Sequence, residues 1–226
     1  MDIGHLFDRI ARRYDLFNHL TSFGIDRLWR RHAIGRGSLS GQRVLDVAVG
    51  TGDLAIAALR RGGAAEVEGL DLSAEMMRVG EAKAQRAGLA DRLTFRQGSA
   101  LEMPYEDGVF DVVTCAYGVR NFTDLEQGLR EMARVLRPGG RLMILEFSYP
   151  SNRLIAWAYD MYFNHVMTTI GGWLTKDKEA FRYFYRSVRD FARPKEMLAR
   201  LEGCGFRDAT AESLTFGIST IYHATK

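Results

Sequence analysis

Leu45-Asp46-Val47-Ala48-Val49-Gly50-Thr51-Gly52-Asp53-Leu54-Ala55 is the stretch on which the reading of this chain turns. Val44 to Ala48 predicts a buried strand and Leu54 to Arg61 the helix that follows it, so the glycines fall where a strand turns into a helix. At such a junction glycine lets the backbone approach a ligand, and the helix N-terminus turns its N–H groups toward it. A nucleotide-like cofactor is the ligand expected here. Gly50-Thr51-Gly52-Asp53-Leu54-Ala55 satisfies the GxGxxG/A dinucleotide pattern. Asp71 follows Gly52 by 19 residues, close to the spacing of about 20 of a ribose-binding acid.

Charge separates the cofactors that such a loop can hold. Asp46 closes the strand and Asp53 opens the helix, so two carboxylates stand where a dinucleotide would bring a doubly charged pyrophosphate. S-adenosylmethionine has no phosphate and carries an α-ammonium and a sulfonium. Asp46 can accept from the amine, while backbone N–H groups of Gly50, Thr51 and Gly52 meet the carboxylate. Asp71, ending the second strand, suits the ribose hydroxyls; Leu72 and Met76 can flank the adenine, and Ser99-Ala100 can meet its exocyclic amine. All of these positions lie at carboxyl ends of predicted parallel strands, where an open α/β sheet binds its ligand.

The same alternation extends outward from the loop. Glu66 to Leu70 and Ser73 to Arg86 form the next strand and helix, with Ser73 as N-cap and Gly88 as the stop. Leu93 to Phe95, Asp111 to Ala116 and Arg141 to Phe147 are three more strands, the last entered through Pro138-Gly139-Gly140; Asp124 to Leu136 is a helix. After Pro150 the alternation stops. Leu154 to Leu174 is an aromatic helical stretch broken at Gly171-Gly172, which interrupts the sheet rather than extending it. Pro194 to Glu202 is a last helix, and Phe206 to Ala224, with Gly217 at its middle, alternates as a terminal hairpin does. Ahead of the sheet, Leu6 to Phe17 and Leu28 to Ala33 show helical spacing. The chain divides into N-terminal helices (1–40), a cofactor-binding core (41–150), a helical lid (151–190) and a C-terminal helix and hairpin (191–226), all within one domain.

The 226 residues, 46% hydrophobic and 26% charged with 4 Pro, suit one globular domain and exclude fibrous and low-complexity classes. No apolar run approaches the ~20 residues of a bilayer span, and the first residues do not read as a signal peptide, so a cytoplasmic protein is expected. Cys115 and Cys204 lie far apart, and neither a disulfide framework nor a metal site is expected from them. Residues 1–36 hold seven Arg against four Asp, the whole net charge of +3. That segment is either a solvated helical face or an attachment to an anionic surface.

The motifs in order, Asp46 to Asp53, Asp71, Met103-Pro104-Tyr105, Phe110-Asp111-Val112-Val113 and Arg134 to Gly140, resemble those of a class I S-adenosylmethionine-dependent methyltransferase. Narrower elements are Phe7 to Asn18, Ser22 to Arg30, Tyr117-Gly118-Val119-Arg120-Asn121-Phe122-Thr123-Asp124 and Leu145-Glu146-Phe147-Ser148. With these the chain resembles the ubiquinone/menaquinone biosynthesis C-methyltransferase family over nearly its whole length. The resemblance implies a Rossmann-like fold, a mostly parallel seven-stranded sheet with helices on both faces. It also implies methylation of a ring carbon of a prenylated quinol, demethylmenaquinol first and the ubiquinone-pathway benzoquinol second, with S-adenosyl-L-homocysteine as co-product. Ala116 and Tyr117 join the expected cofactor contacts. Val49, Ser99 and Ala116 depart from the usual family residues around the cofactor, and Phe184 to Val188 departs along the expected substrate entrance.

Carbon methylation needs a nucleophilic ring carbon in line with the donor methyl, and a quinol becomes nucleophilic when a hydroxyl ortho or para to that carbon loses its proton. The protein supplies orientation, oxyanion stabilisation and a proton path, with no metal required. Arg120 is expected to stabilise the oxyanion, Asn121 to fix the other oxygen or a water, and Tyr14 to close over the sulfonium or orient the quinol. His19 and His165 have no expected catalytic part. The aromatic stretch after Pro150 is either core or a greasy lid for an isoprenoid tail, and a bilayer-resident substrate implies transient peripheral membrane contact. Other readings stay open: a methyltransferase acting on another aromatic or lipid-like metabolite, an idle cofactor-binding scaffold, a nucleic-acid modifier using the N-terminal arginines, and a dehydrogenase. The last two fare worst, lacking an RNA-binding motif and a second mononucleotide-binding half. No nucleic-acid partner is expected, and a homodimer is the base-rate oligomer.

Overall fold

Four of the five residues of β1 (Arg43–Val47) are buried, Asp46 among them, as befits a strand covered on both faces. The computed structural model, which describes residues 22, 24–36, 39–163 and 178–226, sets β1 inside a seven-stranded sheet, third from one edge. The other strands are β2 (Glu66–Asp71), β3 (Leu93–Gln97), β4 (Phe110–Ala116), β5 (Leu136–Phe147), β6 (Arg207–Leu214) and β7 (Ser219–Thr225). Their order is β3-β2-β1-β4-β5-β7-β6. β1 to β5 are parallel, and β7 runs antiparallel between β5 and β6. The expected mostly parallel sheet closed by a terminal hairpin is therefore present. Strand order reverses between β1 and β4, so the loops leaving them diverge and open a crevice at their carboxyl ends.

The described helices are α1 (Ile25–Arg36), α2 (Asp53–Ala57), α3 (Ala74–Arg86), α4 (Leu125–Val135), α5 (Arg153–Met161), α6 (Lys178–Asp190) and α7 (Pro194–Gly203). Two apolar cores lie on the two faces of the sheet. One gathers Trp29, Val44, Leu54, Met77 and Phe184, the other Leu45, Val47, Leu129, Met132 and Met197. Alternate residues of β1 thus serve opposite cores, as the period of two requires. Ser73 caps α3 by accepting from Met76 N at 3.1 Å, and Gly88, at φ +68°, ends the turn beyond it.

Most boundaries shift by one or two residues, and two elements differ further. The helix expected from Leu54 to Arg61 is α-helical only to Ala57 and continues as a π-helical turn, Ala58–Gly62. A side chain at Gly62 would meet Leu39 Cδ1 at 2.7 Å, so the turn ends on a glycine where it packs against the segment entering β1. β5 begins at Leu136 rather than Arg141: Phe110 pairs with Leu136 and Val112 with Arg141. Pro138-Gly139-Gly140 is therefore a bulge within the strand rather than its entry. The helix expected from Leu154 is seen through Met161. Its continuation with His165 and Gly171-Gly172 lies outside the described residues, as do Leu6 to Phe17, Tyr14, Asp15, Asn18 and His19.

Candidate active site

Ala48 and Tyr117 are the first residues past β1 and β4, and both hold left-handed backbone, φ +54° and φ +59°. Each conformation costs about 1–2 kcal/mol for a residue with a side chain, so the two strands that flank the crevice end in stored strain. Gly118 lets them do so side by side: a Cβ there would fall 2.6 Å from Ala48 Cβ and 2.8 Å from Cys115 Sγ. On the β1 side, Gly50 (φ +53°) faces open space, whereas a Cβ at Gly52 (φ +79°) would press on the Phe95 ring at 3.3 Å. Asp71 ties this loop to β2, its two oxygens accepting from Gly50 N and Ser73 N, both at 2.8 Å. Buried Thr51 accepts from Lys83 Nζ at 3.1 Å. Val49 fills the space left by Gly69 on β2, where a Cβ would lie 2.8 Å from the valine methyls. The departure at position 49 is thus matched by the absence of a side chain across the strand pair.

Asp46 is fully buried and accepts from Thr114 Oγ1 at 2.7 Å. Burial pushes its carboxyl up to about 7, opposed by the Thr114 hydrogen bond and the Arg30 charge and reinforced by Asp71. Desolvation wins because the Thr114 hydroxyl and the Ala55 backbone N–H together cannot replace a carboxylate's hydration. Asp53, expected as a second acid beside the ligand, is engaged instead: Lys83 binds it and Arg30 approaches to 3.7 Å. Arg30 comes from α1, is held by Asp26 at 2.5 Å and lies over the Tyr117 ring, 5.4 Å from its centroid. Ser22 Oγ donates to Asp26 at 2.6 Å and completes this link.

On the far side of the crevice Leu72 is 54% exposed, while Met76 is buried beneath the start of α3. Gln97 holds the Leu72 carbonyl at 2.9 Å, and Ser99 Oγ accepts from Leu101 N at 3.1 Å with Ala100 half-buried between them. Ala116, half-buried, closes β4, and buried Tyr117 stacks on Phe147 at 4.4 Å. These residues fit a donor that bears an ammonium and no phosphate. The glycine cradle is open above Gly50, and the carboxylates of Asp46 and Asp71 bracket it. Asp46 would meet the ammonium, Asp71 the ribose, Leu72 a face of the base, and the N–H groups of Gly50 to Gly52 the carboxylate.

The turn after β4 carries Arg120 and Asn121 in a short 3₁₀ segment, Val119–Asn121. Arg120 was expected to offer its charge to an oxyanion. Its guanidinium is instead paired with Glu146 at 2.7 Å, both side chains at most 3% exposed, because β5 runs beside β4 and ends with a carboxylate at that level. Arg120 Nη1 also donates to Tyr117 O at 2.5 Å and Nε to Ser187 Oγ at 3.3 Å. The rings of Phe147 and Phe184, edge to face with one another, lie against it on one side with centroids at 5.4 and 5.1 Å. Asn121 Oδ1 accepts from the Tyr183 hydroxyl at 2.9 Å, which orients its amide N–H₂. Tyr14, the third residue expected in the chemistry, lies outside the described residues.

These two rings also wall an apolar cavity of about 270 Å³, together with Trp29, Tyr159 and Phe163. Trp29 is fixed by a 2.8 Å bond from its Nε1 to Thr215 Oγ1, so α1, the lid and the β6–β7 turn meet around one space. Phe184, within the departing Phe184–Val188 segment, stacks on Phe163 at 5.6 Å and meets Phe147 edge-on at 5.0 Å.

Sequence reasoning gave no role to Glu146, Arg30, Thr114, Tyr159 or Tyr183. For Glu146 a signal existed: a carboxylate inside the run Met143 to Phe147 is bound for burial and must find a cation. The others depend on strand register and on the packing of α1, α5 and α6. Among the described residues no group of three or more His, Cys, Asp or Glu is placed to hold a metal, and no helix is long and apolar enough to cross a membrane. Cys115 is buried and Cys204 half-buried, both as free thiols.

A model of the ubiE/COQ5 methyltransferase family matches residues 1–226. The demethylmenaquinone methyltransferase of Porphyromonas gingivalis is 42% identical over 223 residues, 98% of this chain and 91% of that protein. The ubiquinone/menaquinone biosynthesis C-methyltransferase UbiE of Geobacter sulfurreducens is 44% identical over 226 residues, 99% of this chain and 88% of that protein. Among solved structures, a SAM-dependent methyltransferase of Thermotoga maritima superposes with TM-score 0.70 at 19% identity, covering 99% of this chain and 100% of that one. Phosphoethanolamine N-methyltransferase 2 of Haemonchus contortus, solved with S-adenosyl-L-methionine, gives 0.65 at 18% identity over 87% of this chain and 52% of that one. At such identities the structural likeness speaks for the fold alone.

Proposed function

The chain belongs to the ubiE/COQ5 methyltransferase family and is an S-adenosylmethionine-dependent methyltransferase, and from that premise we propose that its acceptor is a ring carbon of a prenylated quinol. Demethylmenaquinol is the first acceptor and the benzoquinol of the ubiquinone route the second, as the names of the relatives suggest. The observation that carries the choice is the aromatic cavity of about 270 Å³ that shares the rings of Phe147 and Phe184 with Arg120, a space suited to a flat, water-insoluble ring. When bound, the donor supplies an electrophilic methyl on a sulfonium and leaves as S-adenosyl-L-homocysteine.

The protein's own part is orientation and control of charge. Asp46, Asp71, Leu72, Met76, Ser99, Ala100, Ala116, Tyr117 and the Gly50-Thr51-Gly52 backbone hold the donor at the ends of β1 to β4. Asn121 donates from its amide to a quinol oxygen, its other end anchored by Tyr183. Arg120 acts through position: bound to Glu146 and to Tyr117 O, it fixes the turn that aims Asn121 and sets a guanidinium beside the forming phenolate. Tyr14 stays in the proposal as the group that closes over the reacting atoms.

Peripheral membrane contact belongs to the same proposal. Leu154, Trp157 and Met161 stand at helical spacing on the outer side of α5, 73%, 62% and 42% exposed, and Phe216 projects nearby in sequence from the β6–β7 turn, 79% exposed. With the arginines of residues 1–36, such a face suits an anionic bilayer from which a quinol is drawn. A homodimer is the oligomer to test by sedimentation velocity. The deciding experiment is methyl transfer from labelled S-adenosylmethionine to short-chain demethylmenaquinol under reducing conditions, with NMR locating the new methyl. A ring-carbon product is expected; transfer to oxygen, or none, overturns the choice of acceptor.

A further inference from the structure

Arg30 leaves α1 and reaches the carboxyl ends of β1 and β4 with its charge almost enclosed, the side chain 9% exposed. Three groups mark where the guanidinium sits. Asp53, the first residue of α2 beyond the glycine loop, comes to 3.7 Å of Nη1. The Tyr117 ring, just past β4, has its centroid 5.4 Å from Cζ. Asp46 of β1 feels the charge, which draws its carboxyl down against the upward pull of burial. The position is fixed from behind, since the neighbouring Trp29 is bonded to Thr215 and both Ala33 and Ile34 are buried in the core.

A buried ion pair seldom holds a fold together better than apolar packing would. Asp26 neutralises Arg30, but it lies one turn back on the same helix, so that bond ties α1 only to itself. Asp53 is bound by Lys83, which also donates to Thr51. A charge carried this far toward the crevice by its own helix is placed for a group that enters from outside. On the placement given above, with Asp46 facing the ammonium of the donor, we propose that Arg30 binds the carboxylate at the same end of S-adenosylmethionine. The two charged groups of an α-amino acid hang from one carbon, so the partner of one must stand beside the partner of the other. Asp46 and Arg30 are such neighbours, an acid and a guanidinium between the same two strand ends. A guanidinium has five N–H donors, so the bond to Asp26 does not exhaust it, and its fork matches a carboxylate. The backbone N–H groups of Gly50 to Gly52 then share the carboxylate with a full positive charge.

The test compares S-adenosylmethionine with its decarboxylated form, which keeps the ammonium and the sulfonium. Calorimetry measures both affinities for the full chain and for two variants. Arg30→Gln alone would strand the buried Asp26, so it is combined with Asp26→Asn, which leaves an acceptor for Ser22; Arg30→Lys keeps the charge. Wild type should prefer the intact donor by about 10–100-fold, the worth of a charge-assisted bond. In Arg30→Gln/Asp26→Asn that preference should fall by about tenfold or more, while the decarboxylated donor binds as well or better, a cation having been removed beside a cationic ligand. In Arg30→Lys most of the preference should survive. A preference equal in wild type and double variant overturns the proposal, because the backbone then holds the carboxylate alone. Affinity that falls alike for both ligands also overturns it, as that is the mark of a residue that only shapes the crevice. Where the decarboxylated donor binds no form measurably, recovery of S-adenosylmethionine affinity in Arg30→Lys over the double variant upholds the proposal and its absence overturns it. Asp46→Asn is read separately: it should weaken both ligands alike, and failure to do so sinks the ammonium placement while the Arg30 comparison stands.

Discussion

Replacing Arg120 with Met removes one half of the Arg120–Glu146 pair and leaves a carboxylate stranded between β5 and the lid. Both side chains are nearly inaccessible, at 3% and 1%, so the 0–1 kcal/mol typical of exposed pairs does not apply. Breaking a buried pair costs about 3–5 kcal/mol. Glu146 keeps two softening bonds, from Arg120 N at 3.2 Å and Phe147 N at 2.8 Å, which places the loss near the lower end, about 3 kcal/mol. For a chain of this length that is a fall of about 6–12 °C in melting temperature. Urea denaturation followed by circular dichroism measures it, with the midpoint falling and the slope unchanged. In the double variant Arg120→Met/Glu146→Gln no buried charge remains, and more than half of the loss should return. A single variant that loses under about 1 kcal/mol, or a double variant whose loss is the simple sum, refutes the account. The consequence for enzymology is direct: any fall in turnover on changing Arg120 has to be scaled to folded protein before it is read as chemistry.

Asp46 sits at about 7 in the folded chain against about 3.9 unfolded, so the folded state holds the proton more tightly; its contribution to stability falls as pH rises from about 4 to about 7 and is level above. A donor bearing an ammonium favours the ionised carboxyl, so S-adenosylmethionine affinity should rise through neutral pH with release of a proton, seen as buffer-dependent heat in calorimetry; Asp46→Asn should flatten that profile, and a flat wild-type profile counts against the assignment. Gly118→Ala drives a methyl into Ala48 and Cys115 and should cost about 1–3 kcal/mol, with donor affinity lost as well; a variant as stable as wild type would show that the two turns can part. Leu154→Glu/Trp157→Glu alters only the exposed side of α5 and should abolish sedimentation with anionic vesicles while activity on a detergent-dispersed quinol persists. Equal sedimentation of wild type and variant would move membrane contact to another face.

The cofactor half of the molecule was readable because its signals are local. A glycine loop between strand and helix, an acid at each strand end and a capped helix after β2 are set by residues within a few positions of one another, and Asp46, Gly50, Asp71 and Ser73 stand where those patterns place them. Position 53 was misjudged because its partners are remote: Lys83 arrives from α3 and Arg30 from α1. The pairing of Arg120 was hidden for the same reason, since Glu146 meets it only through the β4–β5 register. The start of β5 was obscured by chemistry that points elsewhere, Pro138-Gly139-Gly140 reading as a loop although the ladder resumes across it as a bulge.

Phe184 touches the guanidinium of Arg120 on one side and walls the cavity on the other. On the proposed roles, whatever enters the cavity presses on the ring that steadies the Arg120 charge, so acceptor binding and the order of the turn carrying Arg120 and Asn121 would be thermodynamically linked, and the link would be reciprocal. Because that turn also ends β4 at the donor's crevice, acceptor and donor should bind with synergy rather than independently, each tightening the other. An enzyme built this way would be least competent when only half filled, which would keep a reactive sulfonium from water until the ring that is to receive its methyl has arrived.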